Sequence, residues 1–340
     1  MSSVAYFSFT WLDSRLNWTN NNLYNNDIQA IYSTESTVFT PPIVVENSVS
    51  DLGLISDLTL PIEILKTGDI TWTPGDVYDT SCDIDTTYYP FDVQTCVITL
   101  TTRGYSNNQL SLKLGKVPIV QTAYQENGEW TLVTTSSSTS ITYRDLVPYS
   151  QINFSFTFKR RIGFHLMNTI IPMFLLVSMT CFVFRIPVDA GEKLGYCLTV
   201  LLAFAVYLTL VSDNIPTTST HTSYISVYLN VMLSLGISSV LFTIHILTIH
   251  FKPEEEEIPG YLRTFAKFTC CKSKDTKVSV IAVSEKENEV NKQNTEKENR
   301  EFTWQEIAKK IDALLFWMYA FMFALLSLVF GIIMTIGSYQ

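Results

Sequence analysis

Four runs of this chain, at about 162–184, 194–211, 224–250 and 313–336, stay apolar for the ~20 residues a helix needs to cross a bilayer. Hydrocarbon supplies no hydrogen-bond partner, so a lipid-facing backbone must satisfy itself as a helix or a closed barrel. Runs of this length read as helices. Residues 1–160 are different in kind: polar, and rich in Thr, Ser, Asn and Tyr. The mean hydropathy of +0.18 averages these two regimes and describes neither. A net charge of −9 argues against nucleic acid as a partner, which usually requires a basic footprint.

Within the polar half, short β-rich runs at 28–32, 97–102 and 152–159 are separated by Pro, Gly and Asn. That rhythm predicts an antiparallel β-sandwich over 1–161, followed by an all-α bundle of four spans, three of them in 162–250. Pro172 lies inside the first span and predicts a kink there by freeing the carbonyl of Asn168. Residues 251–312 form a loop with an acidic run at 254–257 and a disordered Lys/Glu/Asn-rich stretch at 284–300. Trp304, Ile307, Ala308 and Ile311 then predict an amphipathic helix that runs into the last span, 313–340 including a short tail.

The loop after span one carries Arg185 and Lys193, whereas 214–223 carries no Lys or Arg. The positive-inside rule puts 185–193 in the cytoplasm and both termini outside, as in a multi-pass protein of the plasma membrane. Sequons at Asn17 and Asn153 agree with an outer first half. The opening MSSVAYFSF has neither the basic start nor the apolar run of a signal peptide, so a trimmed N-terminus is expected.

Span two is the least apolar of the four. Alternate steps of three and four give Glu192, Gly195, Thr199, Leu202, Val206, Thr209 and Asp213, which share one helical face. An acid stands at each end, with an apolar band at Leu202 and Val206 between. Several such helices around an axis would make a tube with carboxylate rings at both mouths, favouring cations, and a Leu ring that closes by dewetting. The plainer reading is a packed span whose polar residues face neighbours. Charges at both ends of one stripe weigh against it.

Of six cysteines, Cys82 and Cys96 lie in the polar half with thirteen residues between them, including Tyr89-Pro90-Phe91-Asp92. A disulfide there would close a short loop, removing roughly 3 kcal/mol of chain entropy in the simplest model. It would hold out a stiff apolar tip beside Asp92, suited to pressing on the spans. Cys181 and Cys197 read as small buried hydrophobes, and Cys270-Cys271 as reduced, acylable thiols. The four histidines lack metal-ligand spacing, and no nucleophile motif or phosphate loop is present. The expectation is no enzyme and no cofactor.

The chain resembles the Cys-loop receptors, the pentameric ligand-gated ion channels, on the cysteine loop, on Gly191-Glu192-Lys193, on Thr199-Val200-Leu201-Leu202 and on Ile215-Pro216. Trp11-Leu12-Asp13-Ser14-Arg15-Leu16-Asn17-Trp18, Glu129-Trp130 and Arg160-Arg161 extend the likeness to nearly the whole chain. It is similar to nicotinic subunits, of an invertebrate kind. The resemblance implies assembly with four further subunits in a lipid membrane and an agonist bound between subunits. It makes Glu192 the cation selector and Leu202 the gate. Anion-selective relatives carry a Pro-Ala-Arg insertion where this chain has Val188-Asp189-Ala190-Gly191-Glu192. By the same likeness the tip Tyr89, Pro90, Phe91 and Asp92 presses on the loop around Pro216, and Asp92 pairs with Arg160. A solvated Asp92 is the alternative.

At the agonist loops the pattern departs from the family. Arg103 stands where a Trp is expected and Glu46 where a Tyr is expected. Tyr105, Tyr143 and Tyr149 remain, with Tyr6 available from a neighbouring subunit's face, and the loop 134–149 lacks the adjacent cysteines. Arg103 and Glu46 could pair, or Arg103 could meet an acidic or zwitterionic ligand. The expectation is a small-molecule agonist of unknown identity other than acetylcholine, whose ammonium needs an aromatic cage. An accessory subunit that binds no agonist is the main rival.

Overall fold

The computed structural model describes residues 1–340 except 21–26, 51, 123, 189–190, 217–221, 254–255, 257, 261, 263–302 and 338–340. Cys270-Cys271, Asp189-Ala190 and the stretch 284–300, for which disorder is expected from composition, lie outside the described residues. The chain forms two compact units, one of 1–85 with 91–161 and one of 86–90 with 162–340.

Among the described residues, the first unit is built of ten strands, with one 3-10 turn at Ser14–Leu16. One sheet has the order β4 (Ile43–Val45), β8 (Val93–Thr102), β10 (Val147–Arg160), β9 (Trp130–Arg144), every pair antiparallel. The other has the order β2 (Phe9–Leu12), β6 (Asp69–Trp72), β5 (Ile62–Leu65), β3 (Ala30–Ser33). A two-stranded ribbon joins β1 (Ser2–Tyr6) to β7 (Gly75–Asp79). Period-two alternation sets the faces: Ile62 and Ile64 on β5, and Ile70 and Trp72 on β6, are buried and their neighbours are not. A second cluster gathers Ile43, Val45, Tyr78, Ile98 and Leu100. Phe9 and Ile55 pack against both clusters, so the interior is continuous from sheet to sheet. Burial, together with the nearby Asp76 carboxylate, pushes the Tyr78 hydroxyl up to about 12.

Among the described residues, the second unit holds four helices long and apolar enough to span a membrane: α1 (Gly163–Arg185), α2 (Lys193–Asn214), α3 (Tyr224–His250) and α4 (Trp304–Gly337). The expected disturbance at Pro172 takes the form of a π turn over Leu166–Ile170. There the Ile171 N–H donates to the Leu166 carbonyl, one residue further back than in an α-helix. The amphipathic segment beginning at Trp304 is continuous with the last span in one 34-residue helix. Val183, Cys197, Ile246, Trp304 and Ala308 are buried in one shared core. Hydroxyl pairs tie α3 to α4: Tyr228 to Ser327 at 3.0 Å and Ser238 to Tyr319 at 2.6 Å.

Candidate functional site

In α2 the 3.6-residue period divides the helix into two faces. Lys193, Cys197, Phe204 and Val211 are buried within the unit. Cys197 Sγ lies 3.6 Å from Ser239 Oγ, and the Tyr207 hydroxyl donates to the Thr169 carbonyl. Leu202, Val206 and Asp213 each lie nine residues beyond Lys193, Cys197 and Phe204, two and a half turns on, and so take the opposite face. Glu192, Gly195, Thr199, Leu202, Val206, Thr209 and Asp213 are all exposed in the subunit, Leu202 by 64% and Val206 by 54%.

The two hydroxyls of this stripe donate back to their own helix, Thr199 to the Gly195 carbonyl at 2.6 Å and Thr209 to the Val206 carbonyl at 2.7 Å. Their oxygens keep lone pairs to turn outward. Glu192 is the N-cap, and its carbonyl accepts from the Tyr196 N–H at 2.9 Å. A carboxylate there suits the helix dipole, whereas Asp213 in the last turn opposes it by about 0.3–1 kcal/mol. Pro216 is half-buried after the end of α2, and the 217–221 segment that follows lies outside the described residues.

Cys82 and Cys96 are joined, with their Cα atoms 5.2 Å apart. At the base of the loop, the Gln94 amide both accepts from the Asp85 N–H (3.0 Å) and donates to the Asp85 carbonyl (2.7 Å). Asp92 is 2% exposed at its side chain and Arg160 8%. Arg160 grips Asp92 with Nε to Oδ1 at 2.7 Å and Nη2 to Oδ2 at 3.0 Å, and Gln94 donates to Oδ2 at 2.6 Å. The guanidinium also sits 4.1 Å from the centre of the Trp130 ring. Of the two readings of Asp92, the buried pair is the one observed, and its bidentate geometry offsets desolvation. Phe91 beside it is half-buried.

The tip, 86–90, packs within the helical unit. Tyr89 is fully buried, with its hydroxyl 3.0 Å from His165 Nδ1. The Thr87 carbonyl accepts from the Tyr224 N–H at 3.1 Å, and the Tyr88 ring stands 5.5 Å from the Tyr224 ring. Pro90 is buried as well. The partners at the start of α1 and α3 went unread in the sequence. The available signal was His165 itself, a histidine at the mouth of an apolar span.

The residues read as agonist loops are arranged differently from expectation. The segment 134–149 is not an irregular loop: β9 and β10 pair across it and turn at Asp145-Leu146, whose φ angles are 49° and 67°. Two successive left-handed residues make the turn that suits a two-residue hairpin. Of the two alternatives for Arg103, the pair with Glu46 is not formed. Arg103 Nη1 donates to the Leu52 carbonyl at 2.7 Å, while Glu46 Oε1 takes Arg144 Nη2 at 2.7 Å. Arg144, at the end of β9, is a residue the sequence reading missed. Its guanidinium also lies 5.2 Å from the centre of the Tyr149 ring. Tyr105 meets Phe39 edge-to-face at 6.5 Å, and Tyr6 and Tyr143 are 74% and 70% exposed.

The sequons differ too. Asn17 is exposed, with its oxygen accepting from Thr19. Asn153 is half-buried in β10, with its oxygen accepting from Thr99 and its nitrogen donating to Ser140.

Comparison with known proteins matches residues 1–162 to the neurotransmitter-gated ion-channel ligand binding domain and 169–275 to the neurotransmitter-gated ion-channel transmembrane region. Over 273 residues the chain is 29% identical to the acetylcholine receptor subunit beta of Xenopus laevis, covering 77% of this chain and 55% of that one. It is 28% identical over 268 residues to the neuronal acetylcholine receptor subunit alpha-2 of Gallus gallus, covering 78% and 50%. It is 30% identical over 264 residues to the neuronal acetylcholine receptor subunit beta-2 of Carassius auratus, covering 77% and 57%. The chain thus spans about half the length of the curated relatives it matches.

Proposed function

Since the chain belongs to the neurotransmitter-gated ion-channel family, we propose that it is one subunit of a pentameric, cation-selective ligand-gated channel. The observation that carries this reading is the exposed face of α2, where a carboxylate at each end brackets Leu202 and Val206. Five copies facing an axis would enclose a water-filled path. The Glu192 and Asp213 rings concentrate cations at its mouths, and the Leu202 band closes it by dewetting. A small-molecule ligand binds between subunits in the β unit. The disulfide loop, its Asp92–Arg160 base and its Tyr89 tip carry the signal toward α1 and α3. The first half and both termini face outward at the plasma membrane, and Asn17 is the glycan acceptor.

The pairing of Arg144 with Glu46 and Tyr149 supports the second reading, an accessory subunit that binds no agonist itself. A guanidinium already lies over one tyrosine that an ammonium ligand would need. For the same reason the agonist is not acetylcholine.

Voltage clamp of oocytes expressing this chain alone tests both readings, with amines, amino acids, protons and divalent ions applied in turn. An evoked current whose reversal follows external sodium, and loses that dependence in Glu192→Ala, is the expected result. An unchanged dilution potential in Glu192→Ala would sink the pore assignment. Silence with protein at the surface, relieved by co-expression with a second subunit, selects the accessory reading.

A further inference from the structure

Directly after Glu192 comes Lys193, and it takes the other face of α2. Its position is a poor one for a cation, because the first turn of a helix presents unpaired N–H groups and the positive end of the dipole. Lysines near the ends of membrane helices usually extend their stems until the ammonium reaches water. Glu192, the residue before it, is exposed. Lys193 nevertheless has no exposed surface, and its Nζ lies 2.5 Å from Asp312 Oδ1. Asp312 stands 119 residues away on α4, its side chain 10% exposed. Two helices distant in sequence therefore meet in one buried ion pair behind the Glu192 end of the stripe.

We propose that Asp312 is a selectivity-determining positioning residue, whose carboxylate holds the Lys193 charge away from the Glu192 ring. The proposal rests on α2 lining the pore. A buried ammonium that loses its carboxylate is left uncompensated, and its cheapest response is to swing into water. Water at that point is the mouth that Glu192 lines. Five ammonium groups released there would offset five carboxylates and cancel the attraction for the permeant cation. A residue on the helix that contributes nothing to the exposed stripe thus decides whether one mouth keeps its negative charge.

Two measurements on the full chain test this. In the first, purified protein in lipid nanodiscs is acetylated with an N-hydroxysuccinimide ester, and modification of Lys193 is followed by mass spectrometry. The parent is expected to be protected and Asp312→Asn to react about tenfold faster, while exposed Lys309 reacts equally in both. Continued protection of Lys193 in Asp312→Asn overturns the proposal. If Asp312→Asn does not assemble alone, tagged variant subunits are incorporated with excess parent and the tagged peptide is read. In the second, single-channel conductance and dilution potentials are recorded. Asp312→Asn is expected to lower conductance at least about twofold and weaken sodium dependence. Lys193→Met with Asp312→Asn is expected to restore both, which a merely structural role for Asp312 would not allow. A released Lys193 with unchanged permeation refutes the selectivity role, provided Glu192→Ala alters permeation in the same assay. If Glu192→Ala is also silent, the pore reading itself has failed.

Discussion

Two Arg–carboxylate pairs in the β unit have the same closest distance, 2.7 Å, and different surroundings. Arg160 and Asp92 are 8% and 2% exposed at their side chains, and Arg144 and Glu46 are 41% and 32% exposed. Distance therefore ranks neither. The buried pair has surrendered water on both sides and recovers it through a bidentate grip, the Gln94 amide and the Trp130 ring. The exposed pair trades water for a contact of similar strength and pays side-chain entropy as well. The first pair is fixed architecture at the base of the disulfide loop, and the second contributes little to the fold.

The largest effect is expected from breaking the buried pair. Asp92→Ala leaves the Arg160 guanidinium without its carboxylate, a loss of about 3–5 kcal/mol. A large fall in the thermal midpoint of the detergent-purified protein, with little subunit at the cell surface, is the expected outcome. Normal stability would remove the distinction between the two regions. The exposed pair should be worth under about 1 kcal/mol. Glu46→Gln is therefore expected to leave the thermal midpoint nearly unchanged. Arg144→Ala should do the same while uncovering the Tyr149 ring, and binding of an organic ammonium by this variant but not by the parent would sharpen the contrast.

Pore behaviour offers a comparison outside the β unit. Leu202→Thr replaces an exposed apolar band residue with a hydroxyl and should raise the resting leak current by wetting the constriction. A tight variant with normal surface expression counts against Leu202 as the gate. The smallest effect belongs to a third pair, Asp13–Arg15, at 2.6 Å with Arg15 79% exposed. The Arg15 side chain and backbone N–H hold the Asp13 carboxyl below its ordinary 3.8. A depressed folded pKa adds stability that is complete above the unfolded value and disappears as pH falls through the folded one. Any gap in thermal midpoint between parent and Arg15→Gln should be present at neutral pH and close below about pH 4.

The difference between the two buried and exposed pairs also marks what could be read in the sequence. Asp92 was legible because an acid on an apolar tip needs a cation once buried, and the family resemblance pointed to Arg160 as that cation. Glu46 and Arg144 lie 98 residues apart, on segments with no periodicity to orient them, and Arg103 stood nearer in the expected pattern. Which arginine reached Glu46 depended on the register of the β9–β10 hairpin and on the Asp145-Leu146 turn.

What the sequence determined by itself follows from short-range rules. Twenty-residue apolar runs set four helices, and a 3.6-residue period put Glu192, Leu202 and Asp213 on one face before any neighbour was known. Period-two alternation likewise turned Ile62, Ile64, Ile70 and Trp72 into a core. The tertiary structure alone decided which distant groups meet: Tyr89 with His165, Glu46 with Arg144, and Lys193 with Asp312. Periodicity is a property of consecutive residues and survives without a fold. A buried ion pair across 119 residues is selected only when packing removes water from both partners at once.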